Sequence, residues 1–278
     1  MKRILPFLAI SILISCSPKI SESSHAIQSG TAAVKQELSV PTQENLMLAV
    51  LWQQLASEYK ALCYQSYNLA RLRLDQHLLE HDSNMPLAII TDIDETVLDN
   101  SPYSGKLIET DIKFTAESWD TWVNLESAEP VPGAVDFLNY AASKNVDIFY
   151  ISNREYSQTQ ATINNLKKEG LPFADAAHVL LQTDTSNKDL RRQSVLKTHH
   201  VIMYLGDNLG DFDSVYDHKT TPERHKITDS LQSKYGASYI VFPNPMYGAW
   251  EYGLYNKNPY GINDVKKDSL RRAKLKSY

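Results

Sequence analysis

Three short apolar runs each end in a polar or acidic cluster, and this repeated grammar constrains the fold more than any other feature. Leu87-Ala-Ile-Ile-Thr91 runs into Asp92-Ile-Asp94-Glu-Thr-Val-Leu-Asp99-Asn-Ser-Pro-Tyr103. Val146 to Ile151 runs into Ser152-Asn153-Arg154, and Val201 to Leu205 into Gly206-Asp207-Asn208-Leu-Gly-Asp211-Phe212. A short, uninterrupted apolar run predicts a strand buried on both faces, as in parallel sheets. Tyr239 to Phe242 is a fourth such run, and helical stretches at Ala134 to Lys144 and Gln158 to Glu169 flank the second. Strand and helix thus alternate as in βαβ units, which predicts an α/β fold on an open parallel sheet. Ligands of such sheets sit at the carboxyl ends of the strands, where all three clusters fall.

Length and composition narrow the class. A chain of 278 residues with 42% hydrophobic content buries a real core, and one elaborated domain over residues 44–278 is expected. Ten glycines, no repeat of roughly 20 to 50 residues and no apolar run of roughly 18 exclude solenoids, propellers and polytopic membrane proteins. The formal charge of −5 argues against polymeric nucleic acid as a partner.

Lys2 and Arg3, the apolar stretch Ile4 to Ile14 and then Ser15-Cys16 have the layout of an export signal over residues 1–15. Leu13-Ile14-Ser15-Cys16 looks like a bacterial lipobox, and that resemblance implies an acylated Cys16 and a lipid anchor. Residues 16–43, rich in Ser, Thr, Ala and Gln, read as a flexible tether. Cys63 would then be the sole free thiol, so stability has to come from packing rather than a disulfide. From Gln43 to His81, apolar residues at Leu48, Leu51, Leu55, Tyr59, Leu62 and Leu69 predict a long amphipathic helix, broken once at most. Its aromatics Trp52, Tyr59, Tyr64 and Tyr67 are expected in the core.

Acids gathered at three strand ends repel one another unless a cation joins them. All-oxygen ligands without nearby His or Cys favour a hard cation, with Mg²⁺ the natural candidate. Asp92 and Asp94, two residues apart, suit a nucleophile that attacks phosphorus and an acid that protonates the leaving oxygen. Ser152 and Asn153 offer a hydroxyl and an amide to a phosphoryl group, and Lys188 offers a positive charge.

Asp92-x-Asp94-x-Thr96, Ser152-Asn153, Lys188 and Gly206-Asp207 through Asp211 match, in order, the four motifs of the haloacid dehalogenase-like phosphohydrolases. More closely, Ile90 to Tyr103 and Ile202 to Phe212 resemble both signatures of the bacterial class C acid phosphatases, the group of the outer-membrane lipoprotein e nucleotidase. The resemblance continues through Trp52 to Asp75, Trp119 to Val123, Pro130 to Gly133 and Pro243 to Glu251. It implies a Rossmann-like core of haloacid dehalogenase type with a small, mainly helical cap from about residues 44–80 and 99–130. It also implies an aspartyl-phosphate on Asp92 with Asp94 as acid and then base. Mg²⁺ would be held by Asp92, the Asp94 backbone carbonyl and Asp207, supported by Asp211, with the phosphoryl group on Ser152, Asn153 and Lys188.

In that group a tyrosine stacks on the nucleobase, a role the match transfers to Tyr247. No aromatic in His81-Asp-Ser-Asn-Met85 matches the second stacking position. Trp119, Trp122 and Tyr103 are expected to line the cap. The implied activity is an acid phosphomonoesterase of the outer membrane acting on nucleoside 5′-monophosphates or nicotinamide mononucleotide. A phosphotransferase and a non-catalytic binding lipoprotein are the rivals. The sequence leaves the oligomeric state open, a homodimer included.

Overall fold

The computed structural model describes residues 43–80, 85–255 and 261–278. The export signal, the tether and Cys16 lie outside the described residues, as does His81. Among the described residues no helix is long and apolar enough to cross a membrane.

The four expected strands form as β1 (Leu87–Thr91), β4 (Val146–Glu155), β6 (His200–Gly206) and β7 (Tyr239–Val241). An edge strand that the sequence did not announce, β5 (Val179–Gln182), joins them, and the parallel order is β5-β4-β1-β6-β7. β1 explains the apolar grammar. Leu87 and Ile89 face one hydrophobic cluster while Ala88 and Ile90 face another, so both sides of the strand are buried. Ser152-Asn153-Arg154 does not follow its strand, as expected, but lies inside it, because β4 continues to Glu155 and pairs there with Gln182.

Helices cover both faces. The larger cluster holds residues of α2 (Ser57–Glu80), α5 (Ala134–Ser143) and α6 (Thr159–Lys168). Val195 of α7 (Asp189–Leu196) belongs to the smaller one. The long helix is broken once, at Ala56, whose extended backbone separates α1 (Met47–Leu55) from α2. The buried stripe differs from the leucine stripe read in the sequence. Tyr59, Cys63, Tyr67, Ala70 and Leu74 face the sheet, whereas Leu48, Leu55 and Leu62 are exposed. Both stripes satisfy the helical period; the small Cys63 and Ala70 let the backbone approach, and the Tyr67 hydroxyl finds the Thr96 carbonyl at 2.6 Å.

Residues 98–130 form an excursion closed by a two-stranded antiparallel ribbon, β2 (Leu98–Asp99) with β3 (Glu129–Pro130). It carries α3 (Ser101–Thr110) and α4 (Ala116–Asn124). A capping box between Thr115 and Ser118 starts α4. The 44–80 stretch divides: α1 meets α3, while α2 lies on the sheet. Beyond β6 come α8 (Thr221–Ser230), α9 (Ala249–Tyr252) and α10 (Asp264–Lys274).

If α2 is part of the core rather than a detachable cap, Leu74→Ala costs about 2–5 kcal/mol of unfolding free energy in urea melts. Leu79→Ala, on the exposed side of the same helix, changes it by at most about 0.5 kcal/mol.

Candidate active site

In the sheet, the carboxyl ends of β4, β1 and β6 stand side by side, so residues far apart in sequence meet there. The Asp92 N–H extends the ladder past β1 by donating to the Leu205 carbonyl at 2.9 Å. Asp92, Asp207 and Asp211 bring carboxylate oxygens within 4.8 Å of one another. Lys188, the residue before α7, is buried between them, bonded to Asp92 Oδ1 and at 2.7 Å to Asp211 Oδ1. Asp207 Oδ2 accepts from Asn244 Nδ2 at 2.8 Å, and Asp211 Oδ2 from the Asn208 N–H at 2.9 Å. Gly206 has to be glycine, since a Cβ there would stand 2.5 Å from the Cβ of Asp211.

The charges do not balance. One ammonium faces three carboxylates. Burial would lower the Lys188 pKa, but Asp211 and Asp92 outweigh it and push the group up to about 12. Burial first raises Asp92 to about 7, with Asp211 and Asp94 adding to the rise and Lys188 opposing it. Asp207 is held well above the usual carboxylate range, by burial and then by Asp211 and Asp92. A buried, all-oxygen donor set whose carboxylates outnumber Lys188 and are driven to take up protons without a further cation fits a hard divalent cation.

Asp94 lies outside this triad and is held by donors from two elements. Its Oδ1 accepts from Arg154 Nε at 3.0 Å, Arg154 Nη2 at 2.8 Å and Asn100 Nδ2 at 2.9 Å; its Oδ2 accepts from Ser152 Oγ at 3.1 Å. Arg154 is 2% exposed, and its guanidinium also reaches Thr162 Oγ1 and sits 5.6 Å from the Trp119 ring. Asn100 is oriented in turn by Trp122 Nε1, which donates to its Oδ1 at 2.8 Å. Neither Arg154 nor Asn100 was assigned a role from the sequence, although both lie within the quoted stretches. Side-chain direction is what the spacing could not give.

Glu95 is a third unassigned residue. Fully buried, with φ at +61° in the left-handed region, it accepts the Asn100 N–H at 2.8 Å and the Tyr247 hydroxyl. Burial, then Asp94 and Asp207, raise its pKa well above the usual range.

The remaining expected residues fall around this centre. Ser152 is buried, its hydroxyl shared between Asp94 and the Arg154 N–H; Asn153 is exposed and accepts from Arg191 Nη2 at 2.8 Å. Tyr103 is buried, bonded to Ser118 at 2.8 Å and edge-on to Trp119 at 5.0 Å. Phe114, which the sequence reading passed over, joins that ring cluster while 62% exposed. Tyr247 is 40% exposed and is tied to Asp207 through Asn244, whose Oδ1 accepts the Tyr247 N–H at 3.4 Å. Arg192 fixes the loop that carries Asp211 by donating to the Gly210 and Asp211 carbonyls at 2.7 and 2.9 Å.

A family model described as HAD superfamily, subfamily IIIB (acid phosphatase), matches residues 12–250. The chain belongs to this family. Two solved structures of the class C acid phosphatase of Bacillus anthracis, one with tungstate bound, are 43% identical. Each match has a TM-score of 0.82 and covers 86% of this chain and 100% of the other. The stem 31 kDa glycoprotein of Glycine max is 27% identical over 161 residues, or 56% of this chain. The match spans 57% of that protein, little more than half its length. In this family member the five-stranded parallel sheet with helices on both sides is therefore a core of the haloacid dehalogenase type, and Asp92, Asp207, Asp211 and Lys188 gather at the carboxyl ends of its strands.

Raised carboxylate pKa values make the metal-free fold sensitive to pH. From the ordinary carboxylate range up to about pH 7 and beyond, the folded chain binds more protons at Asp92 and Asp207 than the unfolded chain does. Metal-free stability is therefore greatest at low pH and is lost as pH rises through the folded values. In chelator, Tm should fall between pH 5 and pH 8 from this source, and added Mg²⁺ should restore more at pH 8 than at pH 5. Equal restoration at both pH values would contradict the charge imbalance.

Proposed function

We propose that this chain is a Mg²⁺-dependent acid phosphomonoesterase, acting on nucleoside 5′-monophosphates through an aspartyl-phosphate on Asp92. The observation that carries the proposal is the pair of differently held aspartates two residues apart. Asp92 sits in the metal-fitting triad with Lys188 on Oδ1, and Asp94 sits outside it in a cage of donors. Membership of the acid phosphatase family supports the same reading, as does tungstate, a tetrahedral oxyanion, in the Bacillus anthracis relative.

Asp92, Asp207 and Asp211 would hold the Mg²⁺ together with the Asp94 backbone carbonyl. Bound there, the ion neutralises the triad and the phosphoryl oxygens against which an anion must approach. Asp92 Oδ2 attacks phosphorus, forming the aspartyl O–P bond as the ester P–O bond breaks. Arg154 and Asn100 occupy Oδ1 of Asp94, so the proton passed to the departing oxygen resides on Oδ2. In the second half, Asp94 takes a proton from water as that water cleaves the O–P bond. An acidic rate optimum follows from the need for Asp94 to start protonated. Lys188 balances charge throughout, and Ser152 and Asn153 stand at the edge where the phosphoryl oxygens would enter.

Base preference rests on Tyr247, whose hydroxyl is fixed on Glu95 while much of the ring stays exposed. A stacked base is worth about 1–3 kcal/mol. Nicotinamide mononucleotide offers the same flat ring and phosphate. Export and an acylated Cys16 at the outer membrane complete the proposal; the layout of residues 1–16 supports that part.

Phosphate release from 5′-nucleotides, nicotinamide mononucleotide and sugar phosphates tests the reading. Activity should vanish in chelator, return with Mg²⁺, rank nucleotides first, and drop by on the order of 10³-fold or more in Asp92→Asn. Turnover indifferent to both chelator and Asp92 would overturn it. A second variant examines the Asp94 cage. Arg154→Met should slow release of alkyl leaving groups by about 10²-fold or more, the range of general-acid catalysis. 4-Nitrophenyl phosphate, whose leaving group needs no proton, should lose at most about tenfold.

A further inference from the structure

Arg224 of α8 is 7% exposed, yet among the described residues it forms no ion pair. Of its five N–H donors, one reaches a partner, the Tyr216 carbonyl at 3.3 Å, and the guanidinium lies 5.5 Å from the Tyr216 ring. The neighbouring carboxylate, Asp217, lies beyond ion-pair distance, acts on Arg224 only at longer range, and accepts from Asn187 Nδ2 at 2.9 Å. A largely covered guanidinium with one hydrogen bond and its nearest carboxylate beyond ion-pair distance keeps donors open to a closer anion. Burial accordingly lowers its pKa.

Beside it lies a cavity of about 30 Å³, lined by Tyr216, His218, Lys219, Arg224, Ala249 and Tyr252. Arg224 and Lys219 give this lining fixed positive charge, and among the described residues no carboxylate lines it. We infer that this cavity is a second, non-catalytic site for a phosphate oxyanion, with Arg224 and Lys219 as its principal ligands. The size selects the ligand: the space holds about two water molecules, enough for one small oxyanion and too little for a nucleoside. Planar guanidinium donors suit phosphate oxygens, and Lys219 adds a point charge. Ala249 and Tyr252 belong to α9, outside the carboxylate centre. The site itself stands independently of the reaction proposed above.

Equilibrium dialysis of the full Mg²⁺-loaded chain with inorganic phosphate tests this. Wild type should bind phosphate at two sites and Arg224→Met at one, with phosphomonoester turnover by the variant unchanged within about twofold. In buffer free of phosphate and sulfate, the Arg224→Met Tm should stay within a few degrees of that of wild type, because the guanidinium makes one long hydrogen bond and no ion pair among the described residues. Phosphate should raise the Tm of wild type more than that of the variant. Phenylphosphonate separates the sources of the ligand. If it leaves the second phosphate in place, the site takes free phosphate; if it displaces that phosphate, the site takes phosphate groups on organic molecules. A single phosphate site in wild type, two sites retained in Arg224→Met, or a large loss of Tm in phosphate-free buffer would overturn the inference.

Discussion

Lys188 buried between Asp92 and Asp211 is the contact on which the rest of this molecule depends. Parallel strands in the order β4-β1-β6 deliver loops to one edge, and those loops bring three carboxylates within a few ångströms. Left alone, such a cluster would drive its own loops apart or take up protons, since desolvation and like charge act in the same direction. One ammonium removes part of the repulsion. The imbalance that remains creates the demand for a divalent cation, and it ties stability to pH through the same groups that would do chemistry.

Around this centre a second layer keeps Asp94 distinct from Asp92. Arg154 comes from the last residues of β4, Asn100 from the start of the 98–130 excursion and Trp122 from α4. The acid therefore sits where core and excursion meet, its Oδ1 held from both sides. Tyr247 is joined to the same centre twice, through Glu95 and through Asn244 to Asp207. A substrate touching the ring would thus press on residues one hydrogen bond away from the metal-fitting triad.

Much of this was legible because buried parallel strands have a strong one-dimensional signature. Each apolar run became a strand, and Asp92, Asp94, Asp207 and Asp211 gather near one another at the strand ends, whereas Asp99 turns to Gln53 and the start of α3. Edge strand β5 escaped, since its alternating burial leaves a weaker mark. The α2 stripe was misjudged for a different reason: leucines and tyrosines both repeat at helical spacing, and the sheet accepted the face with Cys63 and Ala70. Arg154, Asn100 and Glu95 lay in plain view inside the recognised stretches. Their functions depend on which way a side chain points from the end of a strand or a left-handed turn, and spacing carries no such information.

By itself, the sequence determined the class of fold and the family, and it pointed to the carboxylates that gather at the centre, because strand hydrophobicity and the carboxylate motifs are local properties of the chain. Tertiary structure alone decided which donors hold Asp94, that Ser152 is shared with that acid, and that Arg224 is buried with no ion pair among the described residues. Those facts arise from contacts between segments tens of residues apart. Burial and pairing are set by the packed neighbourhood of a charge, and the order of residues along the chain does not record it.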